Sequence, residues 1–127
     1  MPAVKKKILV VDDSAPILQL STTILKLLGY EPISVACGID ALKYLAQETP
    51  ALALLDVMLP DMDGFKVCQH IKKTQATAAV PVFMVSAKKT DDDVERGLKA
   101  GADEYITKPF KSAELAALIK RYLGNKD

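Results

Sequence analysis

The sequence predicts an α/β fold: one doubly wound, five-stranded parallel sheet with five flanking helices. Three observations carry that expectation. Short apolar runs without polar alternation recur along the chain, as in strands covered on both faces. Segments with helical apolar spacing alternate strictly with them, and such alternation gives right-handed crossovers with helices on both faces of a sheet. The third observation is size, since 127 residues, half of them hydrophobic, are enough for one domain with a real core and too few for two.

Ile8-Leu9-Val10-Val11 reads as the first buried strand and Asp12-Asp13 as its carboxyl-terminal edge. Ser14 is a candidate helix cap, and Pro16 suits a first turn, where its missing N–H would be unpaired anyway. Ile17, Leu20, Ile24 and Leu28 follow at helical spacing, and Gly29 can take the left-handed conformation that ends a helix. Ile33-Ser34-Val35 is a weaker strand, and Pro32 before it, unable to donate to a ladder, suggests an edge position. Ala41, Leu42 and Leu45 mark a second helix that closes before Thr49-Pro50.

The third run, Ala51 to Leu55, ends abruptly in Asp56, and Pro60 and Gly64 break the chain beyond it. Phe65, Val67, Cys68 and Ile71 suggest a third helix, and residues 76–79 a loop. Pro81 to Ser86 is a fourth apolar run ending on a hydroxyl. Thr90 before Asp91-Asp92-Asp93 places a cap and three negative charges where a helix dipole is positive, and Val94, Leu98 and Gly101 continue that helix. Tyr105-Ile106-Thr107 is a short fifth strand ending on Lys108-Pro109. Ser112 is read as the cap of a last helix with Leu115, Leu118, Ile119 and Leu123 inward, stopped by Gly124. One domain spans 1–127, its core about 7–123.

Composition excludes several function classes. Seventeen basic and sixteen acidic side chains leave a net charge of +1, which recommends neither nucleic acid nor membrane as a direct partner. Lys5-Lys6-Lys7 reads as a solvated lead-in to the first strand. No apolar stretch approaches the roughly 20 residues of a membrane span, and the N-terminus has no signal-peptide core, so a cytoplasmic protein is expected. Cys37 and Cys68 lack metal-ligand spacing and read as free thiols, and His70, the only histidine, as a surface residue.

In an open parallel sheet the carboxyl ends of the strands converge on the ligand crevice. Here that edge gathers Asp12 and Asp13, Asp56, Ser86 and Lys108. Crowded carboxylates resist ionisation unless a cation joins them, and all-oxygen ligands suit Mg²⁺, which keeps waters and leaves room for a phosphate oxygen. A lysine and a hydroxyl beside them complete a set suited to phosphoryl transfer, in which a carboxylate can itself be the nucleophile.

At these residues the sequence resembles the receiver domain of two-component response regulators, the chemotaxis-regulator-like family with flavodoxin-like strand order 2-1-3-4-5. The resemblance runs from Ile8 to about Leu123 and rests on Val10 to Asp13, Leu55 to Gly64, Val85-Ser86-Ala87 and Gly101 to Phe110. It implies that Asp56 is the phosphoacceptor, that Asp12, Asp13, Asp56 and the Met58 backbone carbonyl arrange Mg²⁺, and that Lys108 contacts the phosphoryl group. It further implies that Ser86 is the switch hydroxyl, that Tyr105 follows it inward, and that Lys108-Pro109 is a cis peptide. Met58 and Lys88, two past the phosphoacceptor and two past the switch hydroxyl, would border the path of water and so set the phosphoryl lifetime. The protein would phosphorylate and dephosphorylate itself rather than turn over a substrate.

The partners implied are a histidine kinase or phosphotransfer protein and a downstream protein that reads the face of helix four, strand five and helix five. Leu18, Thr22 and Leu25 are read as a flank of the first helix that docks the donor. Asp103 and Glu104 fit the charges by which some receivers pair, whereas Leu118 and Lys99 depart from them, so a monomer or weak dimer is expected. Met1 and the absence of an output domain after Asp127 favour a freestanding regulator over a receiver excised from a longer regulator or hybrid kinase. Two rivals fit less well. A flavin or nucleotide carrier would find its phosphate repelled by Asp12-Asp13, and an aspartate-nucleophile phosphatase needs a cap domain for which there is no room.

Overall fold

The computed structural model describes residues 5–88 and 90–124. Met1 and Asp127, on which the expectation of a freestanding regulator rests, lie outside the described residues. The strands are β1 (Lys7–Val11), β2 (Glu31–Val35), β3 (Leu52–Leu55), β4 (Val82–Ser86) and β5 (Glu104–Thr107). The helices are α1 (Ala15–Leu27), α2 (Gly38–Leu45), α3 (Gly64–Lys73), α4 (Asp91–Lys99) and α5 (Ser112–Leu123). Each strand pairs in parallel with its neighbour, in the order β2-β1-β3-β4-β5.

Successive residues of a strand face opposite sides of the sheet, so unbroken apolar runs build two cores at once. Leu9, Val11, Ala53, Leu55, Val82 and Met84 meet α2 and α3 on one face. Ile8, Val10, Leu52, Leu54, Phe83 and Val85 meet α1 and α5 on the other. The edge strands are the less buried ones, and Pro32 lies within β2, where the edge position lets its missing donor go unused.

The Ser14 side chain accepts the Ile17 N–H, and Thr90 and Asp93 form a reciprocal capping box on α4. Gly29, at φ 93°, ends α1 as expected. Ser112, read as a cap, is instead the first residue of α5; Lys111 holds the cap position and makes no side-chain bond. Gly101 lies past the end of α4, at φ 103°, and leaves the helix instead of continuing it.

The inward stripe of α1 also differs from the reading. It is centred on Ser21, which is buried, with Ile24 and Leu25 to either side, while Leu20 is 41% exposed. Leu98 of α4 is likewise exposed. α1 carries leucines on two opposite sides, Leu18 and Leu25 against Leu20 and Leu27, so apolar spacing alone did not select the buried face. The donor-docking flank is therefore corrected: Leu25 is fully buried and Leu18 packs against the same core, leaving Thr22, half-buried, as its one polar member.

Candidate functional site

Register places the chemistry. Val11 pairs with Leu55, so the next residues, Asp12 and Asp56, leave the sheet side by side. Ser86 pairs with Thr107, so Lys108 emerges just beyond the end of β4. The ladder continues one residue into the site: the Asp56 N–H donates to the Val11 carbonyl at 2.9 Å and the Lys108 N–H to the Ser86 carbonyl at 2.8 Å. Gly64 makes the end of β3 possible in its present form, because a Cβ there would fall 1.9 Å from the Asp56 carbonyl oxygen. The Lys108-Pro109 peptide is cis.

The Lys108 ammonium bridges two buried carboxylates, at 2.6 Å from Asp12 Oδ2 and 3.2 Å from Asp56 Oδ2. The remaining oxygens are oriented by backbone. Asp12 Oδ1 accepts the Ser14 N–H at 2.9 Å, and Asp56 Oδ1 accepts the Met58 N–H at 3.2 Å. Burial pushes the Asp56 carboxyl above its ordinary pKa; Lys108 opposes that shift and the Asp12 charge adds to it. Burial alone would lower the Lys108 pKa, but its bonds to Asp12 and Asp56 outweigh it and hold the ammonium above its usual value.

Asp13 is exposed beside this pair, and one oxygen from each of Asp12, Asp13 and Asp56 lies within 4.8 Å of the others. An all-oxygen set of this charge, open to water on the Asp13 side, fits a hard divalent cation. Ser86 is buried, and its Oγ accepts the Lys88 N–H at 3.1 Å. The Tyr105 hydroxyl donates to the carbonyl of the same Lys88, and its ring lies on Gly97 of α4. Met58 and Lys88 are both exposed at the rim.

Sequence reasoning missed what holds the segment after β3. Asp63 caps α3 by accepting the Phe65 N–H at 2.8 Å and takes Arg96 of α4 at 3.1 Å, while the guanidinium lies 4.7 Å over the Phe65 ring. An aspartate one residue before a helix is a legible cap signal. Asp61 instead accepts the N–H groups of Gly38 and Ile39, and nothing local in the sequence announces that. Asp103 and Glu104 are engaged within the chain: Asp103 with Lys72 and the Val82 N–H, Glu104 with the Tyr122 hydroxyl.

The family model of the response regulator receiver domain matches residues 8–120. The transcriptional regulatory protein GltR of Pseudomonas aeruginosa is 43% identical over 123 residues, which are 97% of this chain and 51% of that protein. The chain thus spans about half the length of the curated relatives it matches. Among solved structures, the BeF3-activated receiver domain of DrrB, a Thermotoga maritima regulator, superposes with a TM-score of 0.87 at 37% identity, covering 96% of this chain and all of that one. The receiver domain of a sensor histidine kinase from Pseudomonas aeruginosa PAO1, with a magnesium ion coordinated in its active-site cleft, has a TM-score of 0.88 at 31% identity, with 96% and 100% covered.

Proposed function

This chain belongs to the response regulator receiver domain family, and from that premise we propose that Asp56 takes one phosphoryl group from a histidine kinase or phosphotransfer protein and that the chain thereby switches its partner-binding surface. The observation that carries the reading is the buried Asp12–Lys108–Asp56 bridge with Ser86 and Asp13 beside it. An Asp56 oxygen attacks phosphorus as the donor's P–N or acyl P–O bond breaks, so the phosphoryl group moves and the donor keeps the electron pair. Lys108 would meet the charge on the transferring oxygens, and the Ser86 hydroxyl would donate to one of them. Asp12, Asp13, Asp56 and the Met58 carbonyl would hold Mg²⁺, which supplies neutralising charge to the same oxygens.

The switch follows from differential binding, since a phosphoryl group favours whichever state of Ser86 contacts it better. Ser86 and Tyr105 bond the N–H and the carbonyl of the same residue, Lys88, so a move of the serine would reach the surface formed by α4, β5 and α5. A downstream protein would read that surface. No helix among the described residues is long and apolar enough to cross a membrane.

The test is labelling with a small acyl phosphate, read by intact mass. One phosphoryl group per chain is expected with Mg²⁺ and none in excess chelator. Undiminished labelling of Asp56→Asn would refute the assignment. A Ser86→Ala variant should still be labelled yet fail to gain affinity for a partner.

A further inference from the structure

We propose that Asp61 is a positioning residue for the phosphoryl-accepting site, clamping the segment between β3 and α3 to the first turn of α2. The proposal rests on the reading that Asp12, Asp13, Asp56 and the Met58 carbonyl hold Mg²⁺. Its basis is geometric: Asp61 Oδ1 accepts the Gly38 N–H at 2.8 Å and Asp61 Oδ2 accepts the Ile39 N–H at 2.8 Å, so both oxygens are used. Cys37, at the cap position of α2, makes no side-chain cap bond, and Asp61, 22 residues beyond Ile39, supplies the cap. The first N–H groups of a helix have no partner within it, and the helix N-terminus favours a negative charge. The two backbone bonds accordingly hold the Asp61 carboxyl below its ordinary pKa.

The clamp bears on the site through the chain between them. Met58 and Asp63 form an isolated antiparallel bridge, which closes the segment into a small loop with Asp61 near its tip. Gly64 donates to the Val57 carbonyl at 2.7 Å, and Asp56 Oδ1 holds the Met58 N–H, so the base of the loop is the site itself. Met62 completes the contact: a Cβ on Gly38 would lie 2.4 Å from Met62 Cγ, so the glycine lets the loop settle against α2. α2 is anchored by Ala41 and Leu45 in the core, and this makes it a firm support. Fixing the tip and the base together leaves the Met58 peptide one orientation.

Two aspects of the clamp can be broken separately. Asp61→Ala removes both acceptors, whereas Asp61→Asn keeps one acceptor oxygen and turns an NH₂ toward the other N–H. Gly38→Ala leaves the carboxylate intact but forces the Met62 side chain out of its place against α2. Hydrogen exchange at the Gly38 and Ile39 amides reads the clamp directly, and calorimetric titration with Mg²⁺ reads the site. The expected result is faster exchange and an Mg²⁺ dissociation constant raised roughly tenfold in Asp61→Ala, at the low end of what outer partners of metal ligands cost. Asp61→Asn should fall between Asp61→Ala and the unaltered chain, and Gly38→Ala should also weaken Mg²⁺ binding.

A stability control separates positioning from folding. Leu42→Ala, on α2 but off the clamp, should lower the urea midpoint without moving the Mg²⁺ affinity. Amide exchange unchanged in Asp61→Ala, or faster exchange with unchanged Mg²⁺ affinity, overturns the proposal. Absence of Mg²⁺ binding in the unaltered chain would instead overturn the reading of the carboxylate cluster, and that result is visible before any variant is made.

Discussion

The segments that follow β3 and β4 leave the same edge of the sheet and are held in opposite ways. The one after β3 is closed on itself by the Gly64 N–H to the Val57 carbonyl and fastened to α2 by Asp61 and to α3 and α4 by Asp63 with Arg96. The one after β4 is reached by two hydroxyls, Ser86 and Tyr105, which take opposite ends of the Lys88 residue before the Thr90–Asp93 cap begins α4. A phosphoryl acceptor gains from a fixed surround, because geometry set in advance is not reordered during reaction. A switch needs an element with two arrangements, and one tethered by a few exchangeable bonds serves. These two roles would then lie side by side on neighbouring strands.

The largest way to break the rigid side is to remove the cation at its centre. Lys108→Met would leave two buried carboxylates facing each other, and breaking such a pair costs on the order of 3 kcal/mol. Both shifts make stability fall as pH rises, but they leave opposite marks at neutral pH, where the charged Lys108 stabilises the fold and the charged Asp56 does not. The Lys108 pKa is raised in the folded state, so its contribution is fully present below the ordinary lysine value and is lost as pH climbs through the raised one. The Asp56 pKa is also raised, but for an acid that means the charged form is disfavoured by folding: stability is higher at pH below the ordinary carboxylate value and falls as pH rises through the raised one. In Mg²⁺-free buffer at neutral pH, Lys108→Met should therefore melt lower than the unaltered chain and Asp56→Asn higher. Added Mg²⁺ should restore Lys108→Met and do little for Asp56→Asn. Two shifts of the same sign in thermal melts would show that the bridge does not set the balance.

The strand ends were the legible part of the site, and the contacts that fasten the segment after β3 were not. Strand runs, their alternation with helices and the carboxylates at strand ends are local signals, and parallel register converts them into a shared edge, which is how Asp12, Asp56, Ser86 and Lys108 came together as read. Ser14 and Thr90 declared themselves as caps because capping is a contact over two or three residues. The losses were long-range or degenerate. Asp61 acts on α2 across 22 residues, and Arg96 on Asp63 across 33. Leu18, Leu20 and Leu25 look alike to any apolar count, and only the angle at which α1 meets the sheet decides that Leu25 is buried and Leu20 exposed.

A smaller effect joins one residue from each segment. Met58 and Lys88 stand exposed at the rim on either side of the site, and neither can activate water: the thioether is a weak acceptor and the ammonium has none. In Met58→Asn, Lys88→Glu an amide and a carboxylate could orient a water toward phosphorus. The phosphorylated form of the unaltered chain should outlast that of the double variant by roughly tenfold, equivalent to about 1.4 kcal/mol of barrier. The measurement is decay of phosphoprotein in Mg²⁺ after the donor is removed. Equal lifetimes would mean that rim side chains do not govern water access.

The smallest effect isolates the tether on the movable side. The Tyr105 hydroxyl donates to the Lys88 carbonyl, while the ring rests on Gly97 so closely that a Cβ there would lie 2.9 Å from its edge. Ring packing and hydroxyl tether can thus be separated by two substitutions. Tyr105→Phe keeps the ring and frees a carbonyl that is close to solvent; the net worth of one such hydrogen bond is about 1 kcal/mol, which bounds the change in local opening at roughly fivefold. Gly97→Ala keeps the hydroxyl but forces the ring off α4, and it should disturb the loop more than the missing bond does. Phosphoryl acceptance should be unchanged in Tyr105→Phe, because the rigid segment bears no part of this contact. The expected pattern is amide exchange at Ala87 and Lys88 faster by about two- to fivefold in Tyr105→Phe, with the amides of Met58 to Asp63 unmoved. If exchange accelerates equally in both segments, they form one cooperative unit and the division between a fixed and a movable side is wrong.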